Sequence, residues 1–381
     1  MRIIVLGGDG FCGWPTALNL SFLQRHEVCI VDNLSRRKID NDLSSNSLTN
    51  ISTIEERIQV AGSHGFKLRF ENVDVANDYY NFLRVIDDFK PDAIIHFAEQ
   101  RAAPYSMISE AERRYTVDNN IRGTHNVLNA IVQCNPNIHL VHLGTMGVYG
   151  YSKEFGSIPE GYLNVKINST DKDVDILYPT NPGSVYHMTK SLDQIMFQFY
   201  VKNWGLKITD LHQGIVWGTQ TVHTKVAPEL TNRFDYDGVY GTVLNRFISQ
   251  AATGNDLTVY GTGGQKRAFI HIEDTARCIR LAVENSPKGN KVRIFNQVAE
   301  VRSVKELAEL VAKMYRVNVS YLTNPRKELA ENDLEVSNQG LKSLGFNPIM
   351  LEESLIDDVK FIASEMKNNF HASKILTSPR W

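Results

Sequence analysis

The chain has 381 residues, with 41 Lys+Arg against 43 Asp+Glu for a formal net charge of −2, and is 42% hydrophobic and 22% charged. At roughly 150 residues per domain this length allows two or three domains, and the balanced charge leaves no polybasic field for a nucleic acid or an anionic membrane, so neither partner is expected. The apolar content excludes a disordered chain, and no run approaches the ~18 apolar residues of a membrane span.

The first apolar run, residues 3–6, leads directly into glycines, with neither a basic leader nor a signal-like stretch. Cys12, Cys29, Cys134 and Cys278 contain no CxxC pair, which fits neither a disulfide framework nor a zinc site. Scattered buried thiols in a cytoplasmic protein, with no metal, are the expectation.

Apolar runs at residues 2–6, 27–31, 68–73, 93–97, 139–143 and 207–211 read as strands and alternate with helical patterns. The order predicts an α/β protein: a Rossmann-type, doubly wound parallel sheet with a smaller mixed α/β substrate domain. The Asn- and Ser-rich stretch 35–65 exceeds an ordinary βα loop and is expected to carry a short helix at 51–58. Long helices are expected near 107–134 and 186–203. In the second half, Pro182, Pro228 and Gly261 to Gly264 interrupt shorter elements before helical periodicity returns at 304–314 and 351–366. Residues 1–212 are expected to form mainly the cofactor domain and 213–381 mainly the substrate domain, with the chain crossing between them. Excursions at 151–181 and 219–237 are candidate lids.

Gly7, Gly10 and Gly13 follow the first strand and precede a helix. Glycines let a backbone turn sharply and approach a pyrophosphate seated on helix N–H groups. Asp32 ends the second strand about 20 residues further on, where a carboxylate accepts hydrogen bonds from adenosine ribose hydroxyls. Asp32 would repel a 2′-phosphate, which favours NAD over NADP; Arg36 and Arg37 leave NADP open should Asp32 point away. Asp74 and Val75, after the third strand, suit an adenine contact or a helix N-cap equally well.

Tyr186 and Lys190 lie four apart on one helix face. A phenol titrates near about 10, and an adjacent ammonium favours phenolate, which makes a usable base. Thr145 follows the fifth strand at the carboxyl end, where open α/β sheets bind ligands, and its hydroxyl is placed to hold the reacting alcohol.

With these motifs, the stretches His96 to Met107, Gly144 to Gly147, Tyr186 to Lys190, Gln213-Gly214, Arg233 to Asp237, Thr258 to Gly261 and Gly264 to Arg267 resemble the extended short-chain dehydrogenases acting on nucleotide sugars. The resemblance is to the branch that joins sulfite to UDP-glucose. It implies oxidation at carbon 4, loss of water across carbons 5 and 6, sulfite addition at carbon 6 and re-reduction, with NAD regenerated. By this resemblance Thr145, Tyr186 and Lys190 are the hydride-transfer set. Gly7, Gly10, Phe11, Cys12, Gly13, Asp32, Asn33, Arg36, Asp74, Val75, Arg101 and Asn119 match cofactor contacts, together with Tyr186 and Lys190. Arg101, Thr145, Met146, Gln213, Tyr240, Thr242, Tyr260, Gln265 and Arg267 match the sugar nucleotide side, with Arg267 paired to the diphosphate. A homodimer or higher homo-oligomer is also implied.

Related 4,6-dehydratases carry Asp-Glu after the catalytic Thr, whereas Met146-Gly147 stand here. His187 is therefore the candidate for moving the 5,6 protons, because imidazole titrates near neutrality; a packed structural histidine is the competing reading. An epimerase or 4,6-dehydratase, and more remotely a non-catalytic NAD sensor, are the alternatives.

Overall fold

The computed structural model describes residues 1–150, 157–167, 172–324, 330–369 and 371–375. Strands β1 (Arg2–Leu6), β2 (Glu27–Asp32), β3 (Leu68–Asn72), β4 (Ala93–His96), β5 (His139–Thr145) and β6 (Lys207–Gln213) carry the six apolar runs. Between them lie helices α1 (Gly13–Ser21), α2 (Ser35–Leu43), α3 (Ile54–Ser63), α4 (Tyr79–Phe89), α5 (Glu110–Cys134) and α6 (Val185–Trp204). After β6 come β7 (Ile215–Trp217), α7 (Val243–Ala252), β8 (Leu257–Tyr260), β9 (Lys266–His271), α8 (Ile272–Glu284), β10 (Arg293–Gln297), β11 (Glu300–Ser303) and α9 (Val304–Tyr315).

The main sheet is parallel throughout, in the order β10-β6-β5-β4-β1-β2-β3. Its strands are buried on both faces, and residue parity sorts them. Ile3, Val5, Val28, Ile30, Ile95 and Val141 meet α1 and α8 on one side. Ile4, Leu6, Val31, Ile94, Leu140 and Ile208 meet α4, α5 and α6 on the other. This is the period-2 alternation of a strand read on two covered faces. The chain does cross back: β10, from the second half, pairs with β6 in the first-half sheet.

A small sheet, β7-β9-β11, and the β8 strand pair form the second layer. Trp217, Phe247, Leu257, Phe269, Val304 and Leu355 fill its core. Helix α9 starts at a capping box in which Ser303 and Glu306 satisfy each other's backbone N–H groups.

Two sequence expectations need correction. The helix expected at 51–58 is Ile54–Ser63, and α2 precedes it unannounced. Residues 219–237 form no lid: Trp14 Nε1 donates to the Leu230 carbonyl at 2.9 Å and Asn232 Nδ2 to the Phe11 carbonyl at 3.0 Å, which straps this segment under the glycine loop. Of the other candidate lid, 151–181, residues 151–156 and 168–171 lie outside the described residues; the described part includes a hairpin, Tyr162–Lys166 against Asp173–Leu177.

Candidate active site

The carboxyl ends of β1 and β4 face the topological switch point of the sheet, and a cavity of about 800 Å³ opens there. Gly7 has a φ of +74°, and a β-carbon on it would overlap the Phe97 and Ala98 backbone; one on Gly13 would overlap the Gly7 carbonyl. The loop therefore closes tightly enough for a diphosphate to approach backbone, and Gly10, Phe11 and Cys12 also line the cavity. Burial pushes the Cys12 thiol up to about 12, so it is a neutral wall group.

Asp32 ends β2 at the cavity and accepts the N–H groups of Asp9 (3.0 Å) and Leu34 (2.8 Å). Burial, with Asp9 close by, pushes its carboxyl up to about 6. Asn33 Nδ2 donates to Asp74 at 3.1 Å, and Asp74 accepts the N–H groups of Ala76 and Asn77. Burial would raise the Asp74 carboxyl, yet these bonds hold it below its ordinary value. The helix-cap reading of Asp74 is overturned, because Asp78 caps α4. Val75 and Asn119 complete this wall.

Both arginines after β2 are paired with carboxylates, and Arg36 also lines the cavity. Arg37 forks onto Asp9 at 2.6 and 2.8 Å. Arg36 is bound by Asp40 and by Asp235 (3.1 Å), and lies over the Tyr240 ring at 3.6 Å. Arg101 Nη2 meets Asp235 at 2.5 Å on the same wall. The surrounding arginines keep the Asp235 carboxyl ionised, although burial opposes them.

At the far end, Ser184 caps α6 by accepting the His187 N–H at 3.2 Å, and Ser106 accepts the Tyr186 N–H at 3.1 Å. These bonds fix the first turn of the helix against the β4 loop, so Tyr186, His187 and Lys190 line the cavity with Thr145 and Met146. The Thr145 hydroxyl accepts the Gly147 N–H at 3.1 Å. Burial raises the Tyr186 phenol above its ordinary value and outweighs the pull of Lys190. His187 and Tyr186 rings stand 5.2 Å apart by centroid, and a β-carbon on Gly147 would overlap the His187 imidazole.

On the second-layer side, Tyr240, Thr242, Tyr260, Gln265 and Arg267 line the same cavity. Neither the Tyr240 nor the Thr242 hydroxyl, both buried, has a hydrogen-bond partner among the described residues, the condition of groups shaped for a ligand. Gln213 lines the cavity as well, its Nε2 donating to Thr275 and Gln297, both at 3.1 Å.

Sequence reasoning missed Arg246, a cavity cation on α7 that bonds the Tyr260 hydroxyl at 3.2 Å. It also missed Asn120, which accepts the Gln100 N–H and donates to Thr189, tying the β4 loop to α6. Glu99 stood within a quoted motif without a role. Glu99, His142 and Asp193 bring three ligand-type atoms within 4.8 Å of one another, but the Lys190 ammonium is bound there, 2.8 Å from Glu99.

The NAD dependent epimerase/dehydratase family model matches residues 3–296, and the chain belongs to that family. It is an NAD-dependent enzyme, and the tight glycine loop and the Asp32 carboxylate fit that cofactor. The chain is 42% identical over 386 aligned positions to the chloroplastic UDP-sulfoquinovose synthase of Spinacia oleracea, covering all of this chain and 79% of the relative. It is also 42% identical over 372 positions to the UDP-sulfoquinovose synthase of Sulfolobus acidocaldarius, covering 96% of this chain and 92% of that one. Among solved structures, UDP-glucose 4-epimerase from Thermotoga maritima with UDP-glucose aligns over 97% of this chain and 100% of its own, with a TM-score of 0.70 and 21% identity. The dTDP-glucose 4,6-dehydratase of Bacillus anthracis with NAD aligns over 96% and 98%, with a TM-score of 0.69 and 17% identity. These two share the fold.

Proposed function

We propose that this enzyme converts UDP-glucose and sulfite into UDP-sulfoquinovose and water. The observation that carries the reading is His187 beside Tyr186 in one cavity, in the space that a side chain at 147 would fill. The two 42% identical relatives support the same reading. NAD, held by the Gly7 to Gly13 loop with Asp32 and Asn33, would supply the hydride acceptor for carbon 4 and the hydride for its re-reduction. Thr145 and Tyr186 hold the 4-hydroxyl, and Tyr186 takes its proton while Lys190 balances the phenolate charge. The resulting ketone acidifies carbon 5. His187 removes that proton and supplies one to the departing 6-hydroxyl, which leaves as water. Sulfite enters as hydrogen sulfite and adds at carbon 6, its proton passes to His187 and from there to carbon 5, and Tyr186 returns its proton to the carbon 4 oxygen.

Arg101 faces cofactor and sugar together, where its guanidinium orients hydroxyls or draws in sulfite. The diphosphate and uridine belong beside Arg267, Gln265, Thr242, Tyr240 and Tyr260, with Gln213 and Met146 under the sugar. In this reading the first-half sheet is mainly the cofactor unit and residues 213–381 mainly the sugar nucleotide unit.

The assembly is a homodimer or larger homo-oligomer through the α5–α6 face. Met188, Leu192, Ile195 and Phe199 recur at helical spacing on α6 and are exposed. Among the described residues no helix is long and apolar enough to cross a membrane. The four cysteines are free thiols, which agrees with a cytoplasmic setting.

Purified enzyme given UDP-glucose and sulfite is expected to form a sulfonated sugar nucleotide, read by mass spectrometry, with no net NADH. UDP-galactose or a 4-keto-6-deoxy sugar, formed with no sulfite incorporated, would overturn the assignment.

A further inference from the structure

Beneath the Tyr186–Lys190 pair lies a buried ionic cluster that the proposed mechanism does not use. Glu99, in the loop after β4, receives the Lys190 ammonium at 2.8 Å and His142 Nε2 at 3.0 Å on the same oxygen, Oε1. Lys190 also donates to the Leu143 carbonyl at 2.7 Å. From β5, His142 Nδ1 meets Asp210 Oδ1 of β6 at 2.8 Å; Asp210 Oδ2 meets His212 Nε2 at 2.9 Å; and His212 Nδ1 meets the Tyr149 hydroxyl at 2.6 Å. Asp193, on α6, stands 3.5 Å from His142, and His96, at the end of β4, stands 3.6 Å from Glu99. The Glu99, His142, Asp210 and Asp193 side chains are at most 3% exposed.

So many charged groups taken from water cost several kcal/mol each unless paired, and their retention calls for a use. Glu99 and Lys190 also line the cavity. Burial raises the proton affinity of the Tyr186 phenol, and the Lys190 ammonium lowers it. Glu99 opposes the ammonium: its charge acts on Tyr186 in the raising direction while Lys190 acts in the lowering one. A reaction that first removes and later restores the 4-hydroxyl proton needs one tyrosine to serve as base and then acid, so its proton affinity must sit between the two tasks.

We infer that Glu99 is a positioning residue that, braced by His142 and Asp210, holds the Lys190 ammonium in place and offsets its charge, so that Tyr186 works in both directions. This rests on the acid–base role given to Tyr186 above. The phenol also faces Arg101 and the Cys12 thiol, and the His187 ring stands 5.2 Å from it by centroid. Arg101 is already paired with Asp235, and Cys12 is a neutral thiol.

The test compares Glu99→Gln, which keeps shape and loses charge, with Glu99→Asp, which keeps charge and shortens the arm. In NAD-loaded protein the Tyr186 ionisation is read as the phenolate absorbance step that disappears in Tyr186→Phe. The step is expected to move about one pH unit lower in E99Q and to stay in place in E99D. With UDP-glucose, kcat is expected to fall about tenfold or more in both variants, with KM within about twofold. In the Lys190→Ala background E99Q should add less than its separate effect, because coupled residues are not additive. A step that E99Q leaves unmoved, or full additivity with K190A, overturns the inference. The titration needs no sugar, so failure of wild-type enzyme to oxidise UDP-glucose would sink the substrate assignment alone. If E99Q does not fold, a phenolate step displaced in E99D overturns the inference, and an unmoved step with reduced kcat supports it.

Discussion

The imidazole of His187 occupies the space that a β-carbon on Gly147 would need. The two residues are 40 apart in sequence, and the absence of a side chain at one lets the other reach the cavity. Gly147→Ala should push the ring aside. Oxidation at carbon 4 depends on Thr145, Tyr186 and Lys190 and should survive within a few fold, while sulfonation should drop by about a hundredfold. Bound-NADH absorbance and product mass spectra separate the two steps; equal loss of both would show that His187 has no separate task.

His187→Asn tests the proton itself. The variant should still oxidise carbon 4, giving bound NADH that persists, and should fail to exchange the carbon 5 hydrogen with deuterated water. Exchange at the wild-type rate would move the acid–base role to another group.

Asp32 carries the cofactor prediction. Its carboxyl sits at about 6 because burial and Asp9 raise it. An ionised carboxylate accepts ribose hydroxyls and a protonated one loses acceptor capacity, so NAD affinity should be constant above that value and weaken as pH falls through it. Asp32→Ala should lower NAD affinity at every pH and flatten this dependence. It should gain little for NADP, since Arg37 is locked on Asp9 and Arg36 on Asp40 and Asp235. A large NADP gain in calorimetric titrations would mean that one of these pairs opens.

What the sequence made legible depended on locality. Gly7 to Gly13, Asp32, Thr145 and the Tyr186–Lys190 spacing each lie within one turn or at one strand end, and the structure brings them to one cavity. The cluster under Lys190 was illegible because Glu99, His142 and Asp210 come from three neighbouring chain segments, and only parallel register puts them together. Helix α2 escaped notice because Asp40 is its only buried residue, so it has no apolar stripe to read. Likewise β10 reads as an ordinary short run; its place beside β6 is set by long-range pairing.

The apolar stripe on α6 predicts the assembly. Ile195 and Phe199 are 61% and 54% exposed, so pairing with a second copy would remove them from water. Ile195→Glu with Phe199→Glu should convert the wild-type oligomer to monomers by light scattering, with helical content unchanged. A wild type that is already monomeric would refute the interface.

Lys190 joins catalysis to stability. Its side chain is 4% exposed, and its ammonium is the cation that Glu99 grips most closely. Removing one partner of a buried ion pair leaves the other uncompensated, at about 3–5 kcal/mol. Lys190→Met should therefore lower the unfolding midpoint markedly as well as suppress carbon 4 oxidation, whereas Tyr186→Phe should suppress oxidation with little change in stability. Restoring much of the lost stability in Lys190→Met by adding Glu99→Gln would identify the unpaired carboxylate as the cause. If the second substitution destabilises further, the cluster is held together by groups other than this pair.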